Sequence, residues 1–348
     1  MFGWRRDKLK LGFVVFELTD ACNQACKFCY NHFKGNGDDY PIETPNYRMA
    51  RRTLKRLLRE AEVGSLSMSG GEPMLMPKIH ELILRARFAG CSVNMLTNGT
   101  LLTVHDIAIF RDIGVNTLQI PILADDSAIH DSMTQLCGSW RRATNNARRV
   151  AAIEPRWLTP VLILSRMNIE RIEPTLDMYA EMGCRHIMVN RFNIGGQGRR
   201  NAEQLMLTHD ELRNAFRRVD TKAGEHGMSV HSGVCTPHCV LNPKEYRNIL
   251  FTHCTTDIMS RPLTVNYRGD VRFCNHSPRV LGNIHKEPLA KILARCDETG
   301  YFATVPEKCN ACQLWESCKG GCRAAAEQVY GTFTRRDPII DMEIKRHK

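Results

Sequence analysis

Apolar positions along the first two thirds of the chain alternate between two periods. Residues 10–18 form an apolar run of strand length. After a polar loop containing Gly35, Gly37 and two Asp, Leu54, Leu57, Leu58 and Ala61 fall at i, i+3, i+4 and i+7, the spacing of one helix face. Thr44-Pro45 ahead of them predicts an N-cap with Pro at the first helical position. A strand follows at 65–69, a helix near 77–88, a strand at 92–97, a helix near 103–112 and a strand at 117–122. The pattern continues with a helix near 139–153, a strand at 158–164, a helix near 170–182 and a strand at 186–190. Thr208-His-Asp-Glu211 is a capping box, and Leu212, Ala215, Phe216 and Val219 form the apolar face behind it. Strand–helix alternation of this kind predicts an α/β fold: a parallel sheet with helices on its outer face. About six units are legible, fewer than the eight of a closed barrel. Near Gly227 the alternation stops and cysteines dominate, which divides the chain into residues 1–230 and 231–348.

Composition adds bounds. With 43% hydrophobic residues in 348, a sizeable core is affordable. Met1-Phe-Gly-Trp-Arg-Arg is basic, but no signal-peptide apolar region follows it. No apolar run approaches the roughly 20 residues needed to span a bilayer, so a cytoplasmic protein without a membrane partner is expected. The formal charge of +11 suits an acidic peptide, an anionic metabolite or nucleic acid. The Arg-Arg pairs are dispersed and no nucleic-acid-binding signature accompanies them, so nucleic acid is not the expected partner.

The fifteen cysteines change the picture most. They point to metal or redox chemistry in place of a disulfide framework. Cys22, Cys26 and Cys29 stand in a Cys-x3-Cys-x2-Cys spacing directly after the first strand. Three thiolates so close can hold three irons of a [4Fe–4S] cubane; such clusters normally take four thiolates, so a non-protein ligand is left to complete the site. Cys254, fourteen residues, Gly269, four residues and Cys274 form a second group; Cys309-x2-Cys312-x5-Cys318-x3-Cys322 forms a third. Zinc knuckles are the plainer reading of each group alone. Cys91, Cys137, Cys184 and Cys296 are isolated, as small packing residues are. Ser69-Gly70-Gly71-Glu72-Pro73 ends the second strand and Leu96-Thr97-Asn98-Gly99-Thr100 the third. In a parallel α/β fold these are the positions where ligand groups gather.

Taken together, the cysteine triplet, the Gly-Gly-Glu-Pro and Thr-Asn-Gly turns and the two C-terminal cysteine groups, which match a seven-cysteine pattern, resemble the radical S-adenosylmethionine (SAM) enzymes that carry a SPASM domain. The resemblance covers about residues 11–330. It implies an open (β/α)6 partial barrel followed by a small cysteine-rich auxiliary-cluster domain. It implies that SAM occupies the open iron beside Cys22, Cys26 and Cys29, and that a 5′-deoxyadenosyl radical abstracts a substrate hydrogen. Gly70, Gly71, Glu72 and Pro73 match the motif at the methionine amino group. Phe28 matches the aromatic bordering adenine. Asn98, Gln119, Asn168 and Arg191 resemble pocket, ribose or carboxylate contacts by position, although Pro121-Ile122 stands where the family often has Ser. The loop from Arg191 to Gly198 resembles the one over SAM. Cys254, Cys274 and Cys322 map to a first auxiliary cluster, with Cys239 favoured over Cys235 as fourth ligand. Cys309, Cys312 and Cys318 map to a second, whose fourth ligand should follow Cys322, where no cysteine exists; Asp337, Asp341 or His347 are the substitutes at hand.

The same resemblance implies an enzyme that modifies a peptide by oxidative cross-linking or related C–H functionalisation, with the auxiliary clusters accepting electrons. A decarboxylase or dehydrogenase acting on a tetrapyrrole or sugar, and a non-enzymatic iron–sulfur electron-transfer module, are the alternatives. A reducing partner such as flavodoxin or ferredoxin is implied; an extra N-terminal leader-gripping domain is not expected. Asn275 follows Cys274 where sulfatase maturases carry an Asp thought to act as base, which argues against that subgroup. Tyr30, His130 and Asp131 are candidate acids or bases by location alone.

Overall fold

The computed structural model describes residues 8–34, 44–298, 300–307 and 309–341. Gly35, Gly37, the N-terminal hexapeptide and His347 lie outside them. The first apolar run becomes β1 (Leu9–Glu17), the axis of the sheet. The others are β2 (Ala61–Ser69), β3 (Ser92–Leu96), β4 (Thr117–Pro121), β5 (Leu158–Leu164), β6 (His186–Arg191), β7 (Ser229–Ser232), β8 (Ile249–Phe251), β9 (Pro262–Asn266), β10 (Asp270–Arg272) and β11 (Val280–Asn283). They form one 11-stranded open sheet in the order β11-β10-β9-β1-β2-β3-β4-β5-β6-β7-β8. Pairing is parallel from β9 through β8, and antiparallel in the β9–β10 and β10–β11 pairs.

Helices fill the crossovers: α1 (Tyr47–Glu60), α2 (Ile79–Phe88), α3 (Val104–Asp112), α4 (Ser127–Thr134), α5 (Ser139–Ile153), α6 (Ile172–Glu181), α7 (Ala202–Leu205) and α8 (His209–His226). Three more lie towards the C-terminus: α9 (Leu289–Glu298), α10 (Trp315–Cys318) and α11 (Arg323–Tyr330). Val14, Phe16 and Leu18 are fully buried at the centre, together with Leu54 and Leu57 of α1. Each such side chain contributes about 1.5–3 kcal/mol by leaving water. Among the described residues no helix is long and apolar enough to cross a membrane.

Local expectations are corrected in four places. The cap of α1 is Asn46, whose side chain accepts from Met49 N at 3.0 Å, so Pro45 precedes the cap instead of opening the helix. Ala61 is extended and begins β2, so helix passes into strand without a loop. The short α4, capped by Asp126, was not anticipated. Strand–helix alternation does end near Gly227, as expected, but the sheet runs on past that point: β7 and β8 extend it in parallel at one edge, and β9 joins β1 at the other. The capping box at Thr208–Glu211 forms as the sequence suggests.

Candidate functional site

β1 delivers its C-terminal end between β2 and β9, with Glu17 opposite Ser69 on one side and Asn266 on the other. The chain then leaves the sheet under tight restraint. Gly71 N donates to Thr19 O at 2.7 Å, and Glu72 N to Ala21 O at 2.8 Å. This approach requires the two glycines: a Cβ on Gly70 or Gly71 would run into the carbonyls of Thr19 and Ala21. The loop is held from its other side by Lys27 N to Met133 O at 2.9 Å, Gly198 N to Cys29 O at 3.0 Å and Asn201 Nδ2 to Lys27 O at 3.0 Å. The glycine-rich stretch after β6 therefore packs on the back of the cysteine loop. At Gly196, φ is +45°, and a Cβ would meet the Cys29 and Asn31 carbonyls.

Cys22, Cys26 and Cys29 are half-buried on this loop. Burial pushes the Cys22 and Cys26 thiols up; the neighbouring thiols add to this, and Lys34 opposes it. Lys34 is buried among them, its Nζ 3.4 Å from Gln24 O. Burial alone would lower its pKa, but the thiols of Cys29, Cys22 and Cys26 raise it. A buried ammonium beside three thiols fits a group held by thiolates. Three nearby polar atoms, Gln197 Oε1, His276 Nδ1 and Arg272 Nε, are buried without a hydrogen-bond partner among the described residues. These residues fit a cluster and its ligand in the space beside the loop. Among the described residues no three His, Cys, Asp or Glu side chains converge on a single ion; cubane thiolates each bind a separate iron. No local pattern marks Lys34 in the sequence, because its partners are set by the loop's closure.

The other expected contacts divide. Glu72 is fully buried, and its carboxylate accepts from Thr97 Oγ1 at 2.6 Å, Asn98 N at 2.8 Å and Met74 N at 2.9 Å. Burial raises its pKa against those bonds. Its side chain thus braces two loops. Asn98 Nδ2 donates to Asn23 Oδ1 at 2.8 Å, and Asn23 Nδ2 to Thr100 Oγ1 at 2.9 Å, which ties the cysteine loop to the end of β3. Gly70 O accepts from Asn31 Nδ2 at 3.2 Å, and Pro73 opens a short turn that Glu72 caps. Gln119 stands half-buried on β4 between β3 and β5. Phe28 packs with Phe192, Ile194, Ala202, Leu205 and Met206.

Two residues are committed elsewhere. Asn168 donates to Leu123 O at 2.7 Å and Ile163 O at 2.9 Å, and accepts from Ser165 N at 2.9 Å, as a buried loop brace. Arg191 is 1% exposed in its side chain and pairs with Asp337 Oδ2 at 2.5 Å, Cys235 O and Thr236. It anchors the cysteine-rich half, which only the far C-terminus could reveal. His130 accepts from Leu123 N through Nδ1, and burial holds its pKa down to about 4. Asp131 caps the start of α5 through Gly138 N, Ser139 Oγ and Trp140 N. Both are structural. Tyr30 lies against the His276 ring and receives a hydrogen bond from Asn275; burial first, then Cys29 and Glu17, pushes its pKa up.

The C-terminal cysteines sort into two sets. Cys235 packs with Cys322 and Cys274, and Cys254 beside it pushes its pKa up, with burial adding to this. Asn193 Nδ2 donates to Cys322 Sγ at 3.4 Å. Cys235, and not the expected Cys239, is the thiol packed with Cys322 and Cys274; Cys239 stands four residues on, next to His238, whose N–H donates to Cys318 Sγ at 3.3 Å. The proposed substitutes are engaged otherwise. Asp337 accepts from Arg191, Cys322 N and Ile339 N, and Asp341 pairs with Arg336.

The chain is similar to known proteins along nearly its whole length. The model of the radical SAM superfamily matches residues 16–206, and that of an iron–sulfur cluster-binding domain matches 254–320. A PqqA peptide cyclase of Xanthomonas oryzae pv. oryzae is 28% identical over 340 residues, covering 94% of this chain and 87% of the relative. That of Gluconobacter oxydans is 25% identical, covering 94% and 90%. Among solved structures, Streptococcus suis SuiB bound to S-adenosylmethionine superposes with a TM-score of 0.71 at 17% identity, covering 95% of this chain and 77% of that one. The protein anSMEcpe with bound AdoMet gives 0.68 at 16% identity, covering 95% and 91%.

Proposed function

This chain belongs to the radical SAM superfamily, and from that premise we propose that it is an enzyme that modifies a peptide, by oxidative cross-linking or a related C–H functionalisation. The observation that supports the peptide reading is the similarity to PqqA peptide cyclases along nearly the whole chain. Residues 1–230 are assigned to the SAM core and 231–348 to the auxiliary-cluster domain. Cys22, Cys26 and Cys29 would hold the first cluster, with SAM on its open iron. When bound, the cluster and SAM supply a radical able to take a hydrogen atom from an unactivated carbon.

The chain's own residues bind, orient and exclude water. Glu72, Asn98 and Asn23 lock the loops around the cysteine triplet, so its geometry is set before substrate arrives. Lys34 compensates thiolate charge. Phe28 closes one side with an apolar wall. The net charge of +11 favours an acidic peptide over a neutral one. A flavodoxin or ferredoxin is the proposed reductant, and the auxiliary clusters that the C-terminal cysteines would hold are the proposed acceptors of the electron left on the product.

The test is anaerobic. Iron, sulfide and 5′-deoxyadenosine are measured for the native protein and the Cys22→Ala/Cys26→Ala/Cys29→Ala variant, with SAM and a strong reductant. Only the native protein should release deoxyadenosine. Stimulation by acidic synthetic peptides, with loss of two hydrogens in the peptide's mass, supports the proposal. Stimulation by a tetrapyrrole or sugar alone overturns it.

A further inference from the structure

Cys309, Cys312 and Cys318 are the three thiols that the family resemblance gives to a second auxiliary cluster, and residues 323–348 hold no cysteine. A [4Fe–4S] cluster normally takes four. The structure brings the missing one from upstream. The backbone N–H of His238 donates to Cys318 Sγ at 3.3 Å, and Ser317 Oγ lies 3.2 Å from His238 Nδ1. Pro237 abuts Gly321, where an added Cβ would come within 2.6 Å of its ring. Pro237 O accepts from Val240 N at 2.9 Å and Leu241 N at 3.1 Å, which closes a turn around residue 239. The loop is thus fastened to the 309–322 segment through the two residues just before its second cysteine, and the turn that follows holds that cysteine in place. Cys239 itself follows His238 directly, one residue from the backbone N–H that meets Cys318 Sγ. Arg336 supplies a cation beside Cys239 and Cys309.

We infer that Cys239 completes a four-cysteine iron–sulfur site with Cys309, Cys312 and Cys318. The single loop Cys235-Thr-Pro-His-Cys239 then gives its first cysteine to one auxiliary cluster and its last to the other. Four residues suffice because the two sets flank the same turn. This inference rests on the iron–sulfur reading of the C-terminal cysteines.

The experiment compares Cys239→Ala, Cys309→Ala/Cys312→Ala and Cys254→Ala/Cys274→Ala in the reconstituted full chain, by iron and sulfide content and by electron paramagnetic resonance after reduction. Cys239→Ala should lose about one third of the iron, one cluster of three, and the same resonance as Cys309→Ala/Cys312→Ala. Retention of all iron and signals, or loss of the resonance that Cys254→Ala/Cys274→Ala loses, overturns the assignment. A second measurement needs no variant. Cys239 and Cys137 are both exposed in the polypeptide alone. In the loaded native protein Cys239 should resist alkylation while Cys137 reacts, and chelation should release Cys239 together with Cys312. Equal alkylation of Cys239 and Cys137 in the loaded protein overturns the assignment. Uptake of zinc in place of iron sinks the iron–sulfur reading itself, a failure distinct from iron retained in Cys239→Ala.

Discussion

Glu72 accepts the hydroxyl of Thr97 at 2.6 Å across the gap between the ends of β2 and β3. The same carboxylate holds Asn98 N, so the Gly-Gly-Glu-Pro turn and the Thr-Asn-Gly turn are one mechanical unit. Glu72→Ala would leave the Thr97 hydroxyl and the N–H groups of Asn98 and Met74 without their acceptor. An orphaned buried group costs about 1–3 kcal/mol, and of the three the Thr97 hydroxyl is buried while the two N–H groups are half-buried. A loss of about 2–4 kcal/mol is expected in denaturant titration, with Glu72→Gln recovering part of it. A loss below about 1 kcal/mol would mean that water replaces the carboxylate.

Glu17 and Arg272 form a second buried relationship, an ion pair with side chains 3% and 1% exposed, joining β1 to β10. Burial raises the Glu17 pKa and Arg272 opposes it. Removing one partner strands a charge, which costs about 3–5 kcal/mol, whereas replacing both with apolar residues often does not. Arg272→Met should therefore be much less stable than Glu17→Leu/Arg272→Met. Equal stability of the two variants would show that the pair has little coupling.

Both relationships explain what was legible in the sequence. The cysteine triplet, the strand–helix alternation and the two glycine turns are local patterns, readable from neighbours within a few residues. Arg272 lies 255 residues from Glu17, and Arg191 lies 146 from Asp337. No period or spacing encodes such pairs. For that reason Arg191 reads as a ligand contact in sequence and is an anchor in the fold. Cys235 and Cys239 were both visible as thiols. Their distribution between two sites depends on Pro237 docking against Gly321, which spacing cannot express.

His130 carries a pH prediction. Burial depresses its folded pKa to about 4, below the ordinary value of about 6.5 for the unfolded chain. The unfolded state therefore binds more protons below pH 6.5, and stability falls as pH drops from there towards 4. At pH 5 the penalty reaches about 2 kcal/mol. Protonation must also break the bond from Leu123 N to Nδ1. His130→Asn, which keeps an acceptor, should lose less stability between pH 7 and pH 5 than the native chain. Parallel pH profiles would refute the burial argument.

Lys34 places a positive charge against the first cysteine set, and the thiols in turn raise its pKa. A reduced cluster is more negative than an oxidised one, so a fixed cation favours the reduced form. Lys34→Met should move the midpoint potential of that cluster to more negative values. A unit charge a few ångströms away at an effective dielectric of about 20 is worth about 2–4 kcal/mol, on the order of 100 mV for one electron. Lys34→Arg should restore most of the shift if charge is the cause. Iron content at the other sites should stay constant, since Lys34 lies against Cys22, Cys26 and Cys29. An unchanged potential in Lys34→Met, with the first cluster fully loaded, would reduce Lys34 to a packing residue that closes the loop through Gln24 O.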